Sequence, residues 1–140
     1  MIRPLAVRLN PGEDLRRAIE SHAARQNIGA GFILSCVGSL SHAALRLAGQ
    51  SGETVFAGPL EILSLGGTLS PNGVHLHIAL ADAHGKAIGG HLLPGCIIFT
   101  TAELVIGILP DHRFSRRHDP QTGYQELEIT TRRDDAEGVG

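Results

Sequence analysis

The chain has 140 residues, a formal net charge of −2 and a sequence pI near 6.4, so its overall charge does not mark it as a nucleic-acid binder. Its length suits one domain with a substantial core and leaves no room for a second. No leader pattern and no apolar run approaching roughly 20 residues is visible, and Cys36 and Cys96 lie in apolar runs that favour buried free thiols. These features predict a cytoplasmic protein without a membrane partner.

The N-terminal segment predicts one strand followed by one helix. Residues 3–8 have a strand pattern, and Asn10 with Glu13 forms a capping-box pattern around Pro11. Apolar side chains then recur at helical spacing, at Leu15, Ala18, Ile19 and Ala23. The helix is expected to stop at residues 27–31.

Short strands separated by glycine turns are predicted in the next part of the chain. Residues 31–37 are typical of a buried strand, and residues 38–41 are expected to turn the chain into a second strand at 42–47. Another strand is predicted at residues 59–65, with a turn at Gly66 and Gly67 after it.

A hairpin is predicted at residues 74–92. Residues 74–81 alternate long apolar side chains with histidine or alanine, the pattern of a strand with two unlike faces. Residues 82–86 then form a three-residue loop between paired end residues, because Gly85 can adopt the positive φ that closes such a loop. In this register His77 lies opposite His91, and His75 shares their face. A two-residue turn at positions 84–85 would send His91 to the other face.

Three histidines on one face of a hairpin indicate a metal site. Opposed positions lie about 5 Å apart and next-but-one positions about 7 Å apart, so His75, His77 and His91 can reach one divalent ion, with zinc the leading candidate. Glu103 is an additional candidate, as a fourth ligand or as a residue that orients one. The alternative is a metal-free, hydrogen-bonded cluster that lines a subunit interface or a hydrated groove.

The C-terminal part predicts a long strand at residues 96–108, a loop at 112–122 and a last strand at 124–129. We expect a single domain over residues 1–130 and a disordered tail at 131–140. The predicted fold class is α+β, a mainly antiparallel sheet with one N-terminal helix packed on it.

Three segments resemble the plants-and-prokaryotes-conserved (PPC) domain. They are GFILSCVGSLSHAALR at residues 31–46, GPLEILSLGGTLS at 58–70 and HLHIALADAHGKAIGGHLLPG at 75–95. The resemblance implies a PPC-like sandwich with a mainly antiparallel sheet that assembles as a homotrimer. Plant members are nuclear DNA-binding proteins with an adjacent AT-hook of the Arg-Gly-Arg-Pro type. This chain lacks that sequence and is similar to bacterial single-domain members, which resemble it at the three histidines.

Three functions remain open from the sequence. The leading one is a non-enzymatic, trimeric regulatory module with DNA as a candidate partner and a three-histidine metal site. The second is a small zinc-dependent enzyme with its site at a subunit boundary. The third is a scaffold that binds protein partners through the trimer surface.

Overall fold

The computed structural model describes residues 1–132 and confirms the α+β fold, with one helix packed against a mainly antiparallel sheet. Its elements are β1 (Arg3–Leu9), α1 (Leu15–Arg25), β2 (Gly31–Arg46), β3 (Thr54–Ser70), β4 (Gly73–Ala81), β5 (Ala87–Leu92), β6 (Ile97–Ile108), β7 (His112–His118) and β8 (Gln125–Thr131). Residues 133–140, most of the predicted tail, lie outside the described residues. Within residues 1–132, no helix is both long and apolar enough to cross a bilayer.

Helix α1 begins later than the capping-box pattern predicts. The Glu13 carboxylate does accept a hydrogen bond from the Asn10 backbone N–H, at 2.6 Å, but this contact closes the turn before the helix. Asp14 is the N-cap, and its Oδ1 accepts from the Arg17 N–H at 3.1 Å. The other oxygen of Asp14 accepts from the Gly95 N–H at 2.7 Å, so the cap also ties the helix to the loop before β6.

The turns predicted at residues 38–41 and 66–67 are instead parts of long strands. Gly38 lies within β2 and Gly67 within β3, with φ values of +156° and +141°. A Cβ at Gly38 would overlap the Thr101 carbonyl oxygen, and one at Gly67 would overlap that of His75. These glycines allow a neighbouring strand to approach closely, so each marks an irregular strand position and not a turn.

Six strands form one sheet in the order β1-β6-β2-β3-β4-β5. The end of β2 also pairs with β5, through Leu45 opposite Leu92 and Arg46 opposite His91. Strands β2, β3, β4 and β5 therefore form a closed ring, in which β4 and β5 each have a partner on both sides. Closure removes the free edge that a hairpin would otherwise expose.

The hydrophobic core combines the inner side of this sheet with the buried face of α1. Each fully buried leucine or isoleucine contributes roughly 1.5–3 kcal/mol to folding. Twelve large side chains are less than 2% exposed: Leu9, Leu15, Ile19, Leu40, Leu45, Leu60, Leu69, Leu76, Leu80, Leu92, Ile98 and Ile106. Cys36 and Cys96 are buried free thiols, as predicted, and burial raises the pKa of Cys36 to about 12.

Strands β7 and β8 form a separate two-stranded sheet. The loop predicted at residues 112–122 is therefore wrong over β7, whose seven residues pair in full with β8. Phe114 is the buried residue that holds β7 to the domain, and its backbone N–H donates to the Gly29 carbonyl at 2.9 Å. Because most of β7 is polar, its strand pattern does not emerge from hydrophobic alternation.

Candidate metal centre

The hairpin of β4 and β5 has the predicted three-residue loop. The Asp82 N–H donates to the Lys86 carbonyl at 3.0 Å, and Gly85 closes the loop with a φ of +76°. One carboxylate oxygen of Asp82 also accepts from the backbone N–H groups of Lys86 and His84, each at 2.9 Å. These bonds lower the pKa of Asp82, the bond from Lys86 most. The loop therefore sets the register of the two strands.

The three predicted histidines converge on the outer face of this hairpin. His77 pairs directly with His91, and His75 lies two residues along β4 on the same face. Nε2 of His77 lies 3.1 Å from Nε2 of His75 and 3.0 Å from Nδ1 of His91. One nitrogen from each ring lies within 4.8 Å of the other two.

Hydrogen bonding alone does not account for this arrangement. An imidazole nitrogen carries either one N–H or one lone pair, in the plane of its ring. Nε2 of His77 therefore cannot form good hydrogen bonds with both neighbours, and its ring stands at 81° and 88° to theirs. A cation among the three nitrogens removes the conflict, because each ring can then direct a lone pair toward it.

The spacing also fits a zinc ion. Nitrogens bound to tetrahedral zinc at about 2.1 Å lie about 3.4 Å from one another. The two short nitrogen pairs, at 3.0 and 3.1 Å, are near that value. Three imidazoles are also a donor set that zinc and related divalent ions prefer. The third pair lies within 4.8 Å, so the residues present fit a divalent ion if side-chain rotation brings that pair closer.

The environment keeps two of the rings ready to act as ligands. Burial is the largest cause that lowers the pKa of His75 below 6.5, followed by electrostatic interactions with His77 and Arg116. The pKa of His91 is lowered by burial first and then by Arg46. A lowered pKa favours the neutral ring at pH 7, the form that has a free lone pair.

Glu103 lies elsewhere in the sheet. It is exposed on β6, between Arg8 of β1 and Val37 of β2, and it is not a member of the histidine group. The histidines lie on β4 and β5. Its predicted role as a ligand or orienting residue has no geometric support in this arrangement.

Sequence reasoning missed two arginines beside the histidines. Arg46 is directly opposite His91 because β2 and β5 pair, and no local pattern announces that pairing. Arg116 lies on β7, where a loop is predicted, and its Nη2 donates to Thr68 Oγ1 at 2.8 Å. Thr68 in turn pairs with His75. The cluster of arginines at residues 113–117 was the available signal, without any indication of its location.

Comparison with known proteins gives one family and several close likenesses. The family model for the Plants and Prokaryotes Conserved (PCC) domain, the family that the sequence resembles, matches residues 1–110. A hypothetical protein from Salmonella has a similar structure, with a TM-score of 0.92 and 43% identity over 94% of this chain and 96% of that one. A metal-containing protein from Archaeoglobus fulgidus has a TM-score of 0.79 and 29% identity, over 90% of this chain and 93% of that one.

A longer curated protein contains a similar segment. The chain is 56% identical over 123 residues to the Bifunctional protein GlmU of a Synechococcus strain, JA-2-3B'a(2-13). The match covers 88% of this chain and 20% of that protein, so the chain spans about a fifth of its length.

Proposed function

Because this chain belongs to the Plants and Prokaryotes Conserved (PCC) domain family, we propose that it is a small regulatory module that binds one divalent metal ion, with zinc preferred, at His75, His77 and His91. The observation that carries the proposal is the convergence of three ring nitrogens, two pairs of which lie 3.0 and 3.1 Å apart. The Archaeoglobus fulgidus protein, described as metal-containing, supports it. The similar segment of GlmU supports the role of a module, because that segment is about a fifth of a longer protein.

Elemental analysis tests the metal site. We expect about one zinc or similar ion per chain in protein purified without a chelator or a histidine tag, because three imidazoles form a complete set of protein ligands. His77→Ala should lose the ion, since Nε2 of His77 contacts both other rings. His84→Ala is the matched control, because His84 lies in the loop of the same hairpin outside the group. Wild-type protein that takes up no metal after zinc is added would contradict the proposal.

Self-association as a homotrimer is the second part of the proposal. Five large apolar side chains on three neighbouring strands are 47–61% exposed, and exposed apolar groups of this kind favour an interface: Leu34, Val37, Val55, Leu63 and Phe99. Light scattering should give three times the 14.8 kDa mass of the chain. Val37→Asp should lower that mass, and a monomeric wild type would contradict assembly. The scaffold alternative would use the same surface for other proteins.

DNA is the candidate partner that the family resemblance brings. The chain contains no Arg-Gly-Arg-Pro, and two arginines of β7 are already engaged, Arg116 with Thr68 and Arg117 with Glu128. A mobility-shift series with mixed duplexes tests this part, because phosphate contacts strengthen as salt is lowered. No shift at low salt would remove DNA from the proposal. The cytoplasmic location stays a prediction.

A metal-dependent enzyme is the second candidate function. Three protein ligands leave one position open, where a bound zinc ion supplies Lewis-acid chemistry. The exposure of His75 and His77 to solvent favours access by a small molecule. Zinc-dependent hydrolysis of a simple ester, lost in His77→Ala and kept in His84→Ala, would favour this function over a purely regulatory one.

A further inference from the structure

The histidine face continues across neighbouring strands as a row of paired positions. Arg46 of β2 is opposite His91 of β5, His91 is opposite His77 of β4, and His77 is opposite Gly66 of β3. Directly paired residues in a sheet point to the same side, so this row places Arg46 on the side of the metal ligands. A Cβ added at Gly66 would meet no atom within 4 Å, which leaves open space beside His77.

Arg46 has no hydrogen-bond or ion-pair partner among residues 1–132 that would explain its position. It is half-buried, and its guanidinium forms no hydrogen bond or ion pair within residues 1–132. Its charge nevertheless acts on both His91 and His75. A guanidinium has five N–H donors in a fixed planar arrangement, so Arg46 can donate to an anion bound beside the three histidines.

Arg116 brings a second positive charge from the opposite side. It reaches the site because its Nη2 donates to Thr68, the residue paired with His75. Glu126 of β8 also acts on His75, with the opposite sign, and its Oε1 already accepts from the Thr122 hydroxyl at 2.9 Å. With a divalent ion bound, the site would therefore hold the ion and two guanidinium groups against one carboxylate.

We propose that Arg46 and Arg116, together with the metal at the three histidines, form a binding site for a small-molecule oxyanion, a carboxylate or phosphate group. This inference rests on the proposed metal site. The oxyanion would occupy the open metal position with one oxygen and accept hydrogen bonds from Arg46 with the others, the charge-assisted geometry in which arginine binds such groups. Arg116 adds charge from the far side.

Calorimetry on the zinc-loaded full chain tests the site, with inorganic phosphate and acetate as separate probes to distinguish the two oxyanions. Wild-type protein should bind at least one of them. Arg46→Gln should weaken binding by about tenfold or more, because it removes a charged hydrogen-bond donor. Arg116→Gln should weaken binding less. Arg117→Gln is the matched control, since Arg117 is the next residue of β7 and pairs with Glu128 at 3.1 Å.

The zinc content of each variant separates this inference from the proposal beneath it. A wild type without zinc overturns the metal site itself. Stoichiometric zinc in every variant, with no phosphate or acetate binding in the wild type, overturns only the oxyanion site. Equal oxyanion binding by wild type and Arg46→Gln also overturns it. If a short DNA duplex at equal phosphate concentration displaces inorganic phosphate, the claim that the oxyanion belongs to a small molecule is overturned.

Discussion

Two hairpins of this protein, β4–β5 and β7–β8, have opposite relations to the rest of the fold. The β4–β5 hairpin is part of the closed ring of strands, because β4 pairs with β3 and β5 pairs with β2. The β7–β8 hairpin is a sheet of its own, and Phe114 is the buried residue of its two described strands. Each strand of the β4–β5 hairpin has a partner strand on both sides, and this pairing supports its outer side chains. The β7–β8 hairpin has few contacts with the rest of the domain.

The difference matches what each hairpin contributes to the candidate site. Metal ligands must be held within a fraction of an ångström, and strands with partners on both sides provide that precision. A charged group that assists binding tolerates more freedom, and the β7–β8 hairpin supplies Arg116 through one bond to Thr68. The histidines therefore lie on a firmly held hairpin, whereas Arg116 lies on a hairpin that can move more freely.

The largest expected effect on stability comes from the buried side of the β4–β5 hairpin. Leu80→Ala should lower the free energy of unfolding by about 2–5 kcal/mol, because Leu80 is fully buried on β4 and its loss leaves a cavity. Ile129→Ala on β8 removes a side chain that is 55% exposed and should change stability by less than about 0.5 kcal/mol. Urea denaturation of both variants measures the contrast. Equal losses would show that the two hairpins are supported alike.

The next effect concerns the close approach of β3 to β4. Gly67→Ala should cost about 2–4 kcal/mol and impair metal binding, because its Cβ would overlap the carbonyl oxygen of His75. Gly73→Ala is the control, since Gly73 has a similar φ of +132° but open space around it. It should cost roughly 1–2 kcal/mol and leave the metal content unchanged. The same metal loss in both variants would be inconsistent with a specific clash at His75.

Two arginines sharpen the comparison at a smaller scale. Arg16 of α1 donates to the Leu92 carbonyl at the end of β5, at 2.7 Å. Arg16→Gln should therefore lower the free energy of unfolding by about 1–3 kcal/mol. Arg117 of β7 forms an ion pair whose partners are 77% and 44% exposed, and Arg117→Gln should cost less than about 1 kcal/mol. Denaturation midpoints at matched salt measure both. A larger loss for Arg117→Gln would mean that the β7–β8 hairpin contributes more than its contacts indicate.

The smallest expected effect on stability is that of pH on the metal-free protein. The pKa values of His75 and His91 are lowered from 6.5, so below pH 6.5 the unfolded chain binds more protons than the folded protein. Stability should therefore fall only modestly as the pH falls through 6.5, because His75 is exposed and His91 is only half-buried. Metal affinity should fall more steeply over the same range, since protons compete for the ligand nitrogens. Chelator competition across that range measures it, and a flat affinity would contradict histidine ligation.

Several features could be predicted because their causes are local. The alternation in β4 and the glycine at position 85 determine the hairpin register, so the pairing of His77 with His91 follows from a few adjacent residues. The helix was also predictable from its apolar spacing. Its cap was not, because Asp14 is selected partly by a bond to Gly95, far away in the chain.

Other features depend on which segments meet. In the sequence, Gly38 and Gly67 give the same signal whether the chain turns there or a neighbouring strand approaches closely. Only the close approach of Thr101 to Gly38 and of His75 to Gly67 distinguishes the two cases. Strand β7 is polar and exists because β8 pairs with it. In each case the deciding contact lies outside the window in which a sequence pattern can be read.

By itself, the sequence determined the fold class, the β4–β5 hairpin and the common face of its three histidines, because period-two alternation and turn chemistry act between near neighbours. Only the tertiary structure decided that β2 closes on β5, that Arg46 faces His91 and that Arg116 reaches Thr68. Those contacts join residues more than 40 positions apart, and they form where whole strands bury their apolar sides together.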